Sequence, residues 1–372
     1  MSSLRVNRRT FLGSSLAAGT APLLLGAEGV SAAGAGGEVP WLADVQRPPE
    51  KLPADVPKLG PLLVDASGRA ITTLEGWQQK RAAIRRWWTD FLGEIRVDRK
   101  GPPSLEVLDE DRPEGVVRQL VRYEVEPGVA CEAYLIKPAK LAGPAPGVVV
   151  LHSTVGHTIR QPAGLEGNPA KAFGLKLARR GCATLAPRNF LWVGESRGYD
   201  AKQVDRLHER HPGTRGMAKM LYDAVVAVDI LAAMPEVDAK RIGSVGHSLG
   251  AKEVLYLAAF DERVKVTVSS EGGIGTRFSN WDAPWYLDRE IREEGFGHEH
   301  HELLGLIAPR AFLLLGGDSA DGDRSWPFIE AALPVYRLYG ETPRLGLFNH
   351  HKGHSVPPEA ERRVYEWLGA YL

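Results

Sequence analysis

Residues 241–259 read Arg241-Ile242-Gly243-Ser244-Val245-Gly246-His247-Ser248-Leu249-Gly250-Ala251-Lys252-Glu253-Val254-Leu255-Tyr256-Leu257-Ala258-Ala259. A short strand is read at 241–245, running into Gly246. An apolar run with helical spacing closes the stretch. Between them stands Gly246-His247-Ser248-Leu249-Gly250, the pattern G-x-S-x-G. Between a strand and a helix this pattern predicts a nucleophile elbow, a tight turn that holds a serine hydroxyl above the end of a sheet. The residues on either side of such a turn must be small, and here both are glycines. The amide of Leu249 opens the following helix and is aimed at the oxyanion that forms when Ser248 attacks a carbonyl.

The flanking sequence supplies the sheet. Residues 117–125 and 131–136 alternate as strands and are joined by Glu126-Pro127-Gly128. A continuous apolar run marks a buried strand at 147–151, and further strands are expected at 182–186, 241–245, 264–269, 311–315 and 344–348. Helices are expected at 170–180, 217–233, 249–259, 327–339 and 359–371. Strands alternating with helices imply a mostly parallel sheet covered on both faces, with its active site at the carboxyl ends of the strands. With the elbow, this predicts an α/β-hydrolase fold.

A serine nucleophile needs a base, and the base needs a carboxylate to orient it. In this fold the chain order is Ser, acid, His. His350, His351 and His354 all lie between the last strand and the last helix. His354 follows Lys352-Gly353 and enters that helix, so it is taken as the base. The usual place for the acid is the loop 316–323, which holds Asp318 and Asp321 and carries enough glycine to be mobile unless something pins it. The other place is Glu271, at the end of the strand 264–269 and followed by Gly272-Gly273. Glu271 is taken first for its reach, with Asp318 and Asp321 as alternatives.

Residues 246–252 resemble the glucuronoyl esterase family, whose elbow reads G-x-S-R-x-G-K. The run Glu299-His300-His301-Glu302-Leu303-Leu304-Gly305-Leu306-Ile307-Ala308-Pro309-Arg310 is similar to that family's D-Q-H-x-L-L-x-L-I-A-P-R. Pro334-Val335-Tyr336-Arg337-Leu338-Tyr339-Gly340 is close to its P-V-Y-R-L-L-G. Ile-Ala-Pro-Arg before a strand is shared more widely with dienelactone-hydrolase-like and acetyl-xylan-esterase-like proteins. The resemblance covers most of the chain after its first thirty-odd residues. It implies an esterase acting on carbohydrate-linked esters, acetyl or uronoyl, without a cofactor. It also implies a glutamate acid just after the sixth strand, where Glu271 falls, and a role for Lys252 at a sugar hydroxyl or carboxylate. One position departs. Leu249 stands where the family has an arginine that helps hold the oxyanion, so backbone amides must do more. A second amide is expected from His152-Ser153-Thr154, at Ser153 or Thr154. Trp192 is a candidate sugar-stacking wall.

The 372 residues carry 46 basic and 46 acidic side chains. That balance gives no global positive field for nucleic acid. An apolar share of 44% excludes a chain disordered throughout. Cys131 and Cys182 make neither a disulfide framework nor a metal motif, and apolar packing is expected for both. The histidines at 298, 300, 301, 350, 351 and 354 form no H-E-x-x-H pattern, so no metal is expected. Arg8-Arg9 precede an apolar, small-residue run that ends near Ser31-Ala32-Ala33. This is the form of a twin-arginine signal, which predicts periplasmic or extracellular delivery. Its removal leaves a net charge of −2, because Arg5, Arg8, Arg9 and Glu28 go with it. The chain thus divides into a signal (1–33), an extended segment and helix packing on the core (34–115) and a catalytic domain (116–372). The expected partner is a small-molecule or polysaccharide ester, with no nucleic acid and no stable membrane insertion.

Overall fold

The Gly-Val-Val-Val-Leu run at 147–151 forms a strand because its β-branched side chains fit a pleated surface covered on both sides. In a computed structural model, which describes residues 37–192 and 200–372, it lies near the middle of a nine-stranded sheet. The signal read in residues 1–33 lies outside the described residues. The strands are β1 (Glu106–Asp111), β2 (Val116–Glu126), β3 (Val129–Pro138), β4 (Ala145–Leu151), β5 (Ala183–Pro187), β6 (Val237–His247), β7 (Val264–Ser270), β8 (Ala311–Gly316) and β9 (Leu345–Asn349). Their order is β1-β2-β3-β5-β4-β6-β7-β8-β9. The first three pair antiparallel, as do β3 and β5, and from β5 to β9 every pairing is parallel. This is the α/β-hydrolase fold.

Helices cover both faces. Val148, Val150, Leu313 and Leu315 pack with α3 (Phe173–Ala178) and α9 (Pro358–Tyr371). Their neighbours Val149 and Leu151 face the other way, onto α5 (Gly216–Ala233) and α6 (Leu249–Phe260). Phe312 and Leu314 share that second face with α7 (His301–Ile307) and α8 (Trp326–Leu338). This strict alternation is the two-residue period of a strand with both faces buried. The preceding segment is held down as well. The short helix α1 (Leu42–Val45) buries Leu42 and Val45 beside Trp367. The long helix α2 (Leu74–Leu92) starts at a Thr73 cap and buries Trp77, Ile84, Trp88 and Leu92.

The connections place the site. The chain leaves β4 to form β5 on one side, then crosses back to form β6 on the other. Loops at the carboxyl ends of β4 and β6 therefore diverge, and the crevice between them is where open α/β sheets bind ligands. Two elements had no strong sequence signal. Strand β1 is Glu-Val-Leu-Asp-Glu-Asp, exposed along nearly all its length at the sheet edge. Helix α4 (Lys202–Arg210) buries only Gln203, Val204 and Leu207.

Candidate active site

The elbow follows from contact distances. Ser248 sits between β6 and α6 with φ 61° and ψ −114°, a region side-chain-bearing residues rarely occupy. A Cβ on Gly246 would lie 2.2 Å from the backbone of Gly250, and one on Gly250 would lie 2.1 Å from Leu151 O. No side chain fits at either position, so the glycines of the motif let α6 start directly against the end of β4. The Ser248 amide donates to Ser270 O at 2.8 Å, which ties the elbow to β7. The hydroxyl-bearing residue itself is half-buried.

The three candidate acids separate cleanly. Glu271 is buried at the end of β7, and its Oε2 accepts from His354 Nδ1 at 3.1 Å. The same carboxylate accepts the Gly317 amide on Oε1 and the Ala320 amide on Oε2, the latter at 2.8 Å. Asp321 is fully buried but turned elsewhere: it accepts from the amides of Gly273 (2.7 Å) and Ile274 (2.8 Å) and from Ser325 Oγ (2.8 Å). Burial pushes its carboxyl pKa up. Asp318 is exposed and pairs with His351 Nδ1 at 2.6 Å and Asn349 Nδ2 at 2.6 Å. Among the described residues, Glu271 is thus the carboxylate joined to His354. The loop 316–323 is pinned: Glu271 accepts two of its amides, and its own Asp321 accepts the amides of Gly273 and Ile274 in the loop beside it.

Strain gathers along this edge. Ser248 follows β6, Glu271 follows β7, Asp318 follows β8 and His351 comes two residues past β9, each with positive φ (61°, 57°, 67°, 55°). Non-glycine residues in this region cost of order 1–3 kcal/mol each and cluster at functional sites. His354 is 42% exposed at its side chain. Its ring lies 4.7 Å from that of buried His247, whose Nδ1 meets Ser270 Oγ at 3.0 Å. Burial holds the His247 pKa well below its ordinary value, so this second imidazole is neutral.

The loop expected to supply a second amide follows β4. Register pairs Leu151 with Gly246, so residues 152–154 stand beside the elbow. The Ser153 amide is engaged by Gln161 Oε1 at 3.3 Å. Thr154 is exposed, and its N–H has no partner among the described residues. Leu249 opens α6, where backbone N–H groups have no intrahelical acceptor.

The two substrate-binding candidates are both buried. Lys252 is buried, with Nζ 3.9 Å above the Trp281 ring and 5.1 Å from that of Tyr286. Burial lowers its pKa to about 7. Trp192 retains 4% exposure in the main core and meets His152 edge-on at 5.2 Å. It packs in the core and also lines a cavity with Asn189, Phe190 and Gln203. Of the other histidines, His300 bonds Tyr256 and Ile274, His301 bonds Gly60 O and His298 bonds Glu302, while His351 lies with Asp318 and Asp323. Cys131 and Cys182 are free and buried, with thiol pKa values pushed up to about 12 and about 11. Sequence reading missed the Asp318–His351 pair and the bracing by Asp321, because both depend on which loops meet.

Fold and geometry define a hydrolase of the α/β class. The model of the dienelactone hydrolase family matches residues 131–283. "Putative hydrolase YtaP" of Bacillus subtilis (strain 168) is 30% identical over 306 residues, covering 77% of this chain and 100% of that protein. The chain belongs to the dienelactone hydrolase family. "Carbohydrate esterase MZ0003", from an unknown prokaryotic organism, is 25% identical over 134 residues, 31% of each chain. The solved glucuronoyl esterase from Solibacter usitatus superposes with a TM-score of 0.70 at 19% identity, over 86% of this chain and 99% of that one. That from Teredinibacter turnerae gives 0.62 at 22% identity, over 84% and 88%. Among the described residues, no helix is long and apolar enough to cross a membrane.

Proposed function

We propose that the chain is an exported serine esterase that cleaves carbohydrate-linked carboxylic esters. The observation that carries the reading is the bond from His354 Nδ1 to Glu271 Oε2, 3.1 Å long, beside a strained serine elbow. With Nδ1–H spent on the acid, Nε2 is left as the base for Ser248 Oγ. Ser248 Oγ attacks the ester carbonyl carbon while His354 takes its proton. Collapse of the tetrahedral intermediate breaks the bond to the alcohol oxygen, which leaves with the proton from His354. Water then repeats the sequence on the acyl-enzyme, freeing the acid and restoring Ser248. The amides of Leu249 and Thr154 hold the negative oxygen in both halves. Glu271 orients the imidazole and balances its charge.

Carbohydrate esters are favoured by the names of the similar proteins and by the retained Lys252, whose amine is buried four residues past Ser248. Leu249 weighs against dependence on a uronate. Export rests on the Arg8-Arg9 signal pattern. A panel of p-nitrophenyl acetate, acetylated xylan, a methyl glucuronate ester and an aminoacyl anilide tests the reading. Ester turnover with little anilide cleavage supports it. Anilide cleavage faster than every ester makes the chain a peptidase instead.

A further inference from the structure

The loop after β4 depends on a histidine that the reaction scheme above does not use. His152 is buried, and burial lowers its pKa to about 4, so the ring is neutral at ordinary assay pH. Its tautomer is set by its neighbours. The Asn189 amide donates to Nε2 at 3.1 Å, so the proton sits on Nδ1. Nδ1–H then donates to Ser153 O at 2.7 Å. The Val155 amide donates to the same oxygen at 2.9 Å, closing a tight turn about Thr154. Gln161 holds the other end of Ser153 through its amide. The edge of Trp192 supports the ring.

A trans peptide points its C=O and its N–H in opposite directions. Two donors holding the Ser153 carbonyl inward therefore turn the Thr154 N–H outward, toward the exposed side of the loop. Leu151 pairs with Gly246, so the loop after β4 adjoins the elbow, and a Cβ on Gly250 would come within 2.1 Å of Leu151 O, so the start of α6 lies against the end of β4. We infer that His152 is a positioning residue, which locks the Ser153–Thr154 peptide so that Thr154, not Ser153, supplies the second oxyanion donor. The inference rests on Ser248 as nucleophile. It matters more here because no arginine follows the serine: Leu249 is buried in the core and offers only its amide.

The test compares two amide replacements. His152→Asn places an NH2 near the Nδ1 position and keeps the donor to Ser153 O. His152→Gln places it near Nε2 and loses that donor. One oxyanion donor is worth about 10²–10³ in kcat. His152→Gln is expected to lower kcat about a hundredfold with KM within about threefold. His152→Asn should stay within about tenfold of the parent. The rate of serine labelling by a p-nitrophenyl phosphonate should fall in step with kcat, since the phosphonyl oxygen occupies the same hole. Thermal melting checks that the variants are folded; if His152→Gln is not, His152→Phe makes the same comparison. Equal losses in both amide variants, or a raised KM with unchanged kcat, overturn the role. A parent enzyme that takes no phosphonate on Ser248 overturns the nucleophile instead. A labelled parent with labelling undiminished in His152→Gln overturns only the positioning.

Discussion

Replacing Glu271 by Gln separates the chosen acid from its rivals. The carboxylate is buried and accepts three donors: the Gly317 and Ala320 amides and His354 Nδ1. A carboxamide has one oxygen and one NH2 in their place. At least one backbone donor then faces another donor, a buried mismatch worth about 1–3 kcal/mol. The larger effect is on turnover, since the imidazolium formed in the transition state loses its counter-charge. Removing such an acid costs up to about 10⁴ in kcat. Because the backbone contacts keep the side chain partly in place, the expected loss is at least about a hundredfold, or about 2.7 kcal/mol in the barrier. KM should change little. Asp318→Asn breaks only a half-exposed pair with His351, worth about 0–1 kcal/mol, and should leave kcat within about threefold. Asp321→Asn should act on stability, since its carboxylate braces Gly273, Ile274 and Ser325. Its melting temperature should fall by several degrees with a smaller loss of turnover than Glu271→Gln. Steady-state kinetics on one activated ester, with melting curves, decides. A crippled Asp318→Asn beside a near-parental Glu271→Gln would refute the reasoning.

Other consequences follow from the same geometry. Glu126 is buried, which opposes its charge, but Lys219, His211 and Arg210 overcome this and lower its pKa to about 2. A depressed acid stabilises the fold above its unfolded pKa and loses that contribution as pH falls toward the folded value. Glu126→Gln should therefore lower the melting temperature at pH 7 and flatten its decline between pH 5 and 3; an unchanged slope contradicts this. Lys252→Met keeps contact with Trp281 but removes the amine. Acetate hydrolysis should stay within about threefold, while a uronate ester should lose about tenfold or more in kcat/KM; equal effects would remove Lys252 from substrate recognition. Lys-Lys in place of Arg8-Arg9 should retain the precursor in the cytoplasm, read by fractionation and immunoblotting, and unchanged delivery would point to another route.

The parts of the site legible in the sequence are those fixed by local chain geometry. Gly246 and Gly250 must be glycine because their Cβ atoms would strike backbone, and that constraint is written in five consecutive residues. Glu271 was readable from its place at a strand end before two glycines, and His354 from its entry to the last helix. What was not legible depends on which loops meet. Nothing near 316–323 shows that Glu271 accepts two of its amides from 46 and 49 positions away. Lys252 looks like a solvated helix residue until Trp281 and Tyr286 are placed beside it. Trp192 follows a strand as a pocket wall would, and it is 4% exposed while lining a cavity, a placement that local sequence does not show. Strand β1 escaped because its charged side chains carry no alternation; its register comes from β2.

The central claim is that Ser248 forms the covalent intermediate. The most direct measurement is the intact mass of the protein after reaction with a fluorophosphonate, followed by mapping of the modified peptide. The account predicts one adduct per chain, on Ser248, appearing as ester hydrolysis disappears, and neither adduct nor hydrolysis in Ser248→Ala. An adduct elsewhere, or a Ser248→Ala enzyme within about tenfold of the parent, a barrier change of only about 1.4 kcal/mol, would contradict it.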